Sequence, residues 1–170
     1  AFKPLGAGLS LSGNAISAFK EIGIDNEVIS IGCRLQVARG LDQHGEVISE
    51  TSSAELKERF GVISNFTLHR ADLHELLLSL LKAGTVQLGK SAASITQNDK
   101  GVSIQFADGS TALADYLIAA DGIHSVVRKQ LLPDSQPRYS GYTCWRAVIE
   151  DLPPGIDLQE TTETWGKGRR

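Results

Sequence analysis

Two short stretches put ligand-holding residue types at junctions where ligands are commonly held. In "LHRADLHELL", Arg70 stands where a β-prone run, Asn65 to Arg70, gives way to a leucine-rich helical pattern. Free N–H groups at a helix start attract anions, and a guanidinium fork adds bidentate recognition of phosphate. Spacing equally accommodates a solvated Arg70 paired with Asp72 or Glu75, and from spacing alone that is the commoner outcome. In "ADYLIAADGIHSVVRK", Asp121 follows an almost wholly apolar run, Tyr116 to Ala120. That is the strand end at which open α/β sheets bind ligands. A carboxylate there suits hydroxyl or N–H donors, such as a ribose, and repels a bare phosphate. It also suits N-capping of the helix expected from about His124 to Leu132, and the two roles are compatible.

A third stretch, "PLGAGLSLSGNA", approaches the Gly-x-Gly-x-x-Gly turn that cradles a dinucleotide pyrophosphate. Gly6 and Gly8 match, but Leu11 occupies the third position, where only glycine lets helix and strand pack closely. Ala1 to Leu5 are too few, and include Pro4, to form the buried strand that feeds such a turn. The acidic residues about twenty positions on, Asp25 and Glu27, fall in a helix-ending turn. The stretch therefore reads as a tight turn ahead of a helix. Other chemistries find little support. His69 and His74 do not share a helical face, His44 lies in a turn, and no carboxylate or Cys cluster implies a metal. Gly-x-Ser-x-Gly is absent, and neither of the two cysteines, Cys33 and Cys144, has a base or a Cys-x-x-Cys partner. No catalytic acid–base or nucleophilic residue is expected.

The elements that must carry these residues follow from periodicity. Ser12 to Ile22 reads as an amphipathic helix stopped by Gly23. Arg34–Arg39 and Glu46–Ser49 flank the turn Asp42–Gly45 as a hairpin. "SSAELKERFG" reads as a short polar helix or a loop. Leu73, Leu76, Leu77, Leu80 and Leu81 recur as one helical stripe that Gly84 ends. Val86–Leu88, Ala92–Gln97 and Val102–Phe106 read as strands of a meander. Thr111 to Ala120 ends in a strand suited to burial on both faces. Tyr142 to Ile149 reads as a long strand broken by Pro153-Pro154-Gly155, and Thr161–Trp165 as a strand-like run. The fold class is mixed α/β, with more antiparallel pairing than a doubly wound sheet.

Composition bounds the rest. The 170 residues, 41% hydrophobic and 22% charged, fit one soluble domain or a domain with part of another. A net charge of −3 without basic clusters excludes a nucleic-acid footprint and a polybasic membrane patch. The longest apolar stretch is interrupted by His74, Glu75 and Ser79, so no membrane span is expected. Two unpaired cysteines fit a reducing, cytoplasmic setting. The chain starts without Met and contains none, so an internal fragment is expected.

Together, "GAGLSLSGNAISAFKEIGI", "LHRADLHELLLSLL" and "ADYLIAADGIHSVVRKQLLP" resemble the FAD-dependent aromatic-ring hydroxylases and monooxygenases of the p-hydroxybenzoate hydroxylase superfamily. "PRYSGYTCWRAVIED" is similar to the zeaxanthin-epoxidase-like or salicylate-hydroxylase-like branch. The resemblance covers essentially the whole chain. It implies residues 1–135 as the central part of an FAD/NAD(P)-binding domain and 136–170 as the start of a substrate-domain sheet. It also implies cofactor contacts for Gly8 and Leu9 near the flavin, Arg70 on FAD, Ala92 at the adenine, and Asp121 and Gly122 in a motif serving FAD and NAD(P)H. Tyr142, Trp145 and Arg146 become substrate-pocket residues by the same carry-over. The implied activity takes hydride from NADH or NADPH and transfers oxygen from O2 to a small, electron-rich organic substrate; the oligomeric state is left open. Members of this family carry the true Gly-x-Gly-x-x-Gly upstream and a Gly-Asp-Ala-type motif downstream. Neither is in these residues, so this polypeptide alone is not expected to be a competent monooxygenase. Two alternatives stay open: a non-catalytic α/β module that binds a small ligand or a partner, and a related flavin reductase or halogenase.

Overall fold

The computed structural model describes residues 8–61, 65–149 and 151–168. Pro4, Leu5 and Gly6, on which part of the glycine-turn reading falls, lie outside them. The chain divides into two compact units, Ala1–Leu81 with Arg146–Arg170, and Lys82–Trp145. No helix among the described residues is long and apolar enough to cross a membrane.

In the first unit the order begins β1 (Gly8–Leu11), α1 (Gly13–Glu21), α2 (Asp25–Ser30), β2 (Cys33–Arg34), β3 (Val37–Asp42) and β4 (Val47–Ser52). It continues α3 (Ser53–Phe60), β5 (Phe66–His69) and α4 (Arg70–Ser79). β5 lies between β1 and β2 and pairs antiparallel with both. Leu9 faces Leu68 and Leu11 faces Phe66 across the ladder. Alternation along a strand sends these four side chains to one face, where Ile16 from α1, Val28 from α2 and Leu73 from α4 complete the core. Phe66 and Val28 are fully buried.

Gly8–Leu11, the described part of the glycine stretch ahead of α1, is thus a strand and not a tight turn. Its pairing partner β5 lies more than fifty positions away, so the ladder that makes it a strand lies outside any local window. Leu11 fills the core instead of leaving room for a close helix–strand approach. Asp25 and Glu27 form the first turn of α2, where acidic groups complement the helix dipole, and not the end of a helix. α2 is too short, at 6 residues, to display a helical period. The leucine helix stops two residues before its stripe does: Ser79 is its last residue, and Leu80 and Leu81 are about half exposed.

The expected hairpin forms from β3 and β4, with the register shifting at Gly40/Leu41. Asp42 closes its turn by accepting hydrogen bonds from the His44 and Glu46 N–H groups at 2.8 and 2.9 Å. β9 (Glu160–Trp165) adds to the other side of β3 in parallel. Arg39 on the central strand bonds Glu50 on β4 (2.6 Å) and Glu160 on β9, linking all three strands. Those two carboxylates, Glu160 foremost, raise its already high pKa further. Ser52 caps α3 by accepting from the Glu55 N–H, so "SSAELKERFG" is a helix.

The second unit holds β6 (Ala92–Asn98), β7 (Gly101–Phe106) and β8 (Thr111–Ala114) as an antiparallel meander, followed by α5 (Val126–Leu131). Ile95, Val102 and Val127 form its small core. Gln130 on α5 accepts from the Ile95 N–H at 2.9 Å and donates back to the Ile95 carbonyl, fastening α5 to the open edge of β6.

Three expected strands do not form. Val86–Leu88 is a coil leading into a turn, and Tyr142–Ile149 carries no strand. Tyr116–Ala120, expected to be buried on both faces, forms no strand, and Tyr116 and Ile118 are about 90% exposed. Each has strand-like composition, but a strand exists only where a neighbour satisfies its N–H and C=O groups. Among the described residues no strand pairs with them.

Candidate functional site

In the first unit, antiparallel pairing sets Gly8 opposite His69, next in sequence to Arg70. Because Leu9 turns into the core, Gly8 presents open backbone on the opposite face, and a Cβ built on it meets nothing within 4 Å. α4 starts at Arg70, with its first N–H groups capped from within: His69 Nδ1 accepts from the Ala71 N–H at 3.3 Å. The helix start is therefore partly satisfied by its own chain, and the Arg70 side chain is exposed beside it. Gly8, Leu9 and Arg70, 62 positions apart at their widest by residue number, are brought to one end of the β1–β5 ladder.

The second unit brings Ala92 and Asp121 together. They line one open cavity of about 560 Å³ with Gly89, Lys90, Ser91, His124 and Val126. That volume lies within the range of about 300–1,000 Å³ usual for small-molecule sites. One wall is the consecutive segment Gly89–Ala92; the other is the turn between Asp121 and α5. Gly122 has φ +79°, a left-handed conformation that side chains strain to adopt, so the turn itself favours glycine at this position. The Gly122 carbonyl accepts from the Ser125 N–H at 3.1 Å and closes it.

Both sequence roles weighed for Asp121 are compatible with this geometry, and the capping one is visible. Its Oδ2 accepts from the Val126 N–H at 2.9 Å and the Val127 N–H at 3.5 Å. Ser125 shares the work by accepting from the Arg128 N–H at 2.9 Å. The Ser125 hydroxyl, with the backbone donors behind it, holds the Asp121 carboxyl below its ordinary value of 3.8. The sign follows from a lowered carboxyl: its stabilisation is fully present above the ordinary pKa and is lost as pH falls through the folded-state value. In the natural chain the protection of the Val126 and Val127 amides against exchange, relative to the intrinsic rate, should therefore fall as pH drops below the ordinary value of 3.8. In Asp121→Asn this acid-linked step should be missing; an unaltered exchange profile would remove Asp121 from the cap.

The cavity's chemistry suits part of a dinucleotide. Backbone groups of Gly89–Ala92, a carboxylate and an imidazole can meet ribose hydroxyls and a heteroaromatic base, whereas a phosphate beside Asp121 would be repelled. This is the polarity expected of the sugar–base end of FAD. The residues present thus fit the adenosine half of the cofactor, while no glycine-rich pyrophosphate cradle lies among the described residues. No group of His, Cys, Asp and Glu able to hold a metal occurs among them either.

Tyr142, Trp145 and Arg146 are exposed. Tyr142 and Trp145 belong to the second unit and Arg146 to the first. Lys90, the His69 cap and the Ser125 cap were not singled out by sequence. Ser125, directly before the apolar Val126-Val127 pair, carries a legible N-cap signal. Nothing local marks Lys90.

The sequence profile of the FAD binding domain family matches residues 4–148. The chain belongs to this family of FAD-binding domains. Across 166 residues it is 36% identical to the aurachin C monooxygenase/isomerase of Stigmatella aurantiaca, covering 98% of this chain and 43% of that protein. It is 36% identical over 149 residues to the 3-amino-4-hydroxybenzoate 2-monooxygenase of Streptomyces cremeus, covering 85% and 37% respectively. Among solved structures, Klebsiella pneumoniae HpxO complexed with FAD and uric acid superposes with a TM-score of 0.65 at 32% identity, over 76% of this chain and 33% of that one. A salicylate hydroxylase substrate complex gives 0.62 at 31% identity, over 78% and 33%. The chain spans less than half the length of these relatives. The mixed α/β architecture is that of their p-hydroxybenzoate hydroxylase-like FAD-binding domain.

Proposed function

We propose that this chain is the central part of an FAD-dependent, NAD(P)H-using monooxygenase that hydroxylates or epoxidises a small organic, aromatic substrate with molecular oxygen in the cytoplasm. The observation that carries the reading is the match, along nearly the whole chain, to proteins named as monooxygenases. Bound FAD supplies hydride acceptance and oxygen activation; the protein orients and shields it, which is why no acid–base pair is needed.

The residues divide that task. Arg70 contacts FAD through its guanidinium, and Gly8 and Leu9 approach the flavin through backbone, the open space at Gly8 favouring this. Ala92 offers backbone to the adenine, and Asp121 and Gly122 accept from cofactor hydroxyls or N–H groups. Tyr142, Trp145 and Arg146 contribute to the substrate pocket, within a substrate-binding region that starts near residue 136, residues 1–135 serving the cofactor.

The test is Arg70→Ala in the whole protein. Loss of one charge-assisted contact, roughly 1.5–3 kcal/mol, should lower the flavin retained on purification by about tenfold or more. Undiminished flavin content would remove Arg70 from the cofactor site. For the present polypeptide alone, FAD titration followed by flavin fluorescence should give no binding in the micromolar range, because neither of the family's pyrophosphate cradles is found in its residues. Micromolar binding would show that these residues suffice.

A further inference from the structure

The geometry points to Lys90 as a positioning residue that sets the affinity for the adenine end of FAD. The inference rests on the reading that the Ala92–Asp121 cavity receives that end of the cofactor. Four consecutive residues, Gly89 to Ala92, make one wall of this cavity. Of these, only Ala92 belongs to a strand, so the other three depend on tertiary ties for their position. Two ties are present. The Ser91 carbonyl accepts from the Ala107 N–H at 2.8 Å. The Lys90 ammonium donates to Asp108 Oδ2 at 2.6 Å and to Ser110 Oγ at 2.7 Å, and lies 5.6 Å from the centre of the Phe106 ring.

The acceptors are themselves held. Asp108 Oδ1 accepts from the Ser110 N–H at 2.9 Å and from its hydroxyl at 2.5 Å, in the turn joining β7 to β8. Lys90 therefore anchors the cavity wall to a rigid turn of the meander. A lysine serving only solubility would extend into water, whereas this one satisfies two acceptors and covers an aromatic ring. Its side chain is about one-third exposed, so the tie is screened but not dissolved by solvent. With the tie cut, the backbone atoms at Ala92 are held less firmly opposite Asp121, and binding must supply the lost order.

The experiment measures the FAD dissociation constant of the whole apoprotein by flavin fluorescence, with AMP as a competing probe of the adenine end. Lys90→Met and Asp108→Asn should each weaken both ligands by about fivefold, the effect of losing one well-held ion pair. The double variant should be no weaker than either single one, because both remove the same tie. Lys90→Arg should restore affinity to within about twofold. Unchanged affinities in Lys90→Met, whatever happens to its melting temperature, would overturn the proposal, as would additive losses in the double variant. If the unmodified apoprotein takes up no FAD, the cofactor reading itself fails, and the positioning role with it.

Discussion

Replacing Phe66 with alanine should destabilise the first unit by about 3–5 kcal/mol, enough to unfold many small domains outright. Phe66 is fully buried, and it joins strand to helix: it lies on the central strand β5, opposite Leu11 and beside Leu68. Ile16 of α1, Val28 of α2 and Leu73 of α4 complete the same cluster. Removing the ring leaves a void shared by several elements, and β5 cannot collapse inward without breaking its ladders to β1 and β2. The check is urea unfolding followed by circular dichroism, with amide exchange separating the two units. A loss under about 1 kcal/mol would mean that the core closes over the gap. The consequence for function is direct, because β5 delivers His69 and Arg70 and pairs with Gly8. The whole protein carrying Phe66→Ala should therefore also retain less flavin.

What could be read in the sequence was local. The hairpin β3–β4, the meander and α1 announce themselves through period and turn chemistry, and the "LHRADL" junction places Arg70 correctly at a helix start. The three motif segments identify the family because their combination is specific, although each alone is not. The failures share one physical cause. β1 is a strand only because β5 pairs with it, and Tyr116–Ala120 and Tyr142–Ile149 are not strands because no neighbour among the described residues does. Strand existence is a property of pairs, and the partner's distance along the chain hides it from any window. The site follows the same rule. Asp121 was visible as a carboxylate ending an apolar run. That it shares a cavity with Ala92, and that Lys90 ties the opposite wall to Asp108, depends on contacts across the meander.

The second large effect is expected at Gly32, just ahead of β2. A Cβ there would fall 2.4 Å from Phe66 Cζ, 2.6 Å from Cε1 and 2.6 Å from the Thr67 carbonyl oxygen. The ring is the fully buried centre of the core and the carbonyl belongs to the β5 backbone, so neither can yield as the end of a flexible side chain would. Gly32→Ala should thus cost about 1–3 kcal/mol through overpacking, at the upper end of that range because the obstacle includes backbone. The cause can be separated from a simple backbone effect with Phe66→Leu, which shortens the side chain under Gly32. The double variant Gly32→Ala/Phe66→Leu should lose less than the two single changes combined, by about 1 kcal/mol, the coupling expected of residues in contact. Strict additivity would place the strain at Thr67 alone. Whichever atom dominates, the close approach lets β2 lie flat against β5, and it fixes the strand on which Arg70 depends.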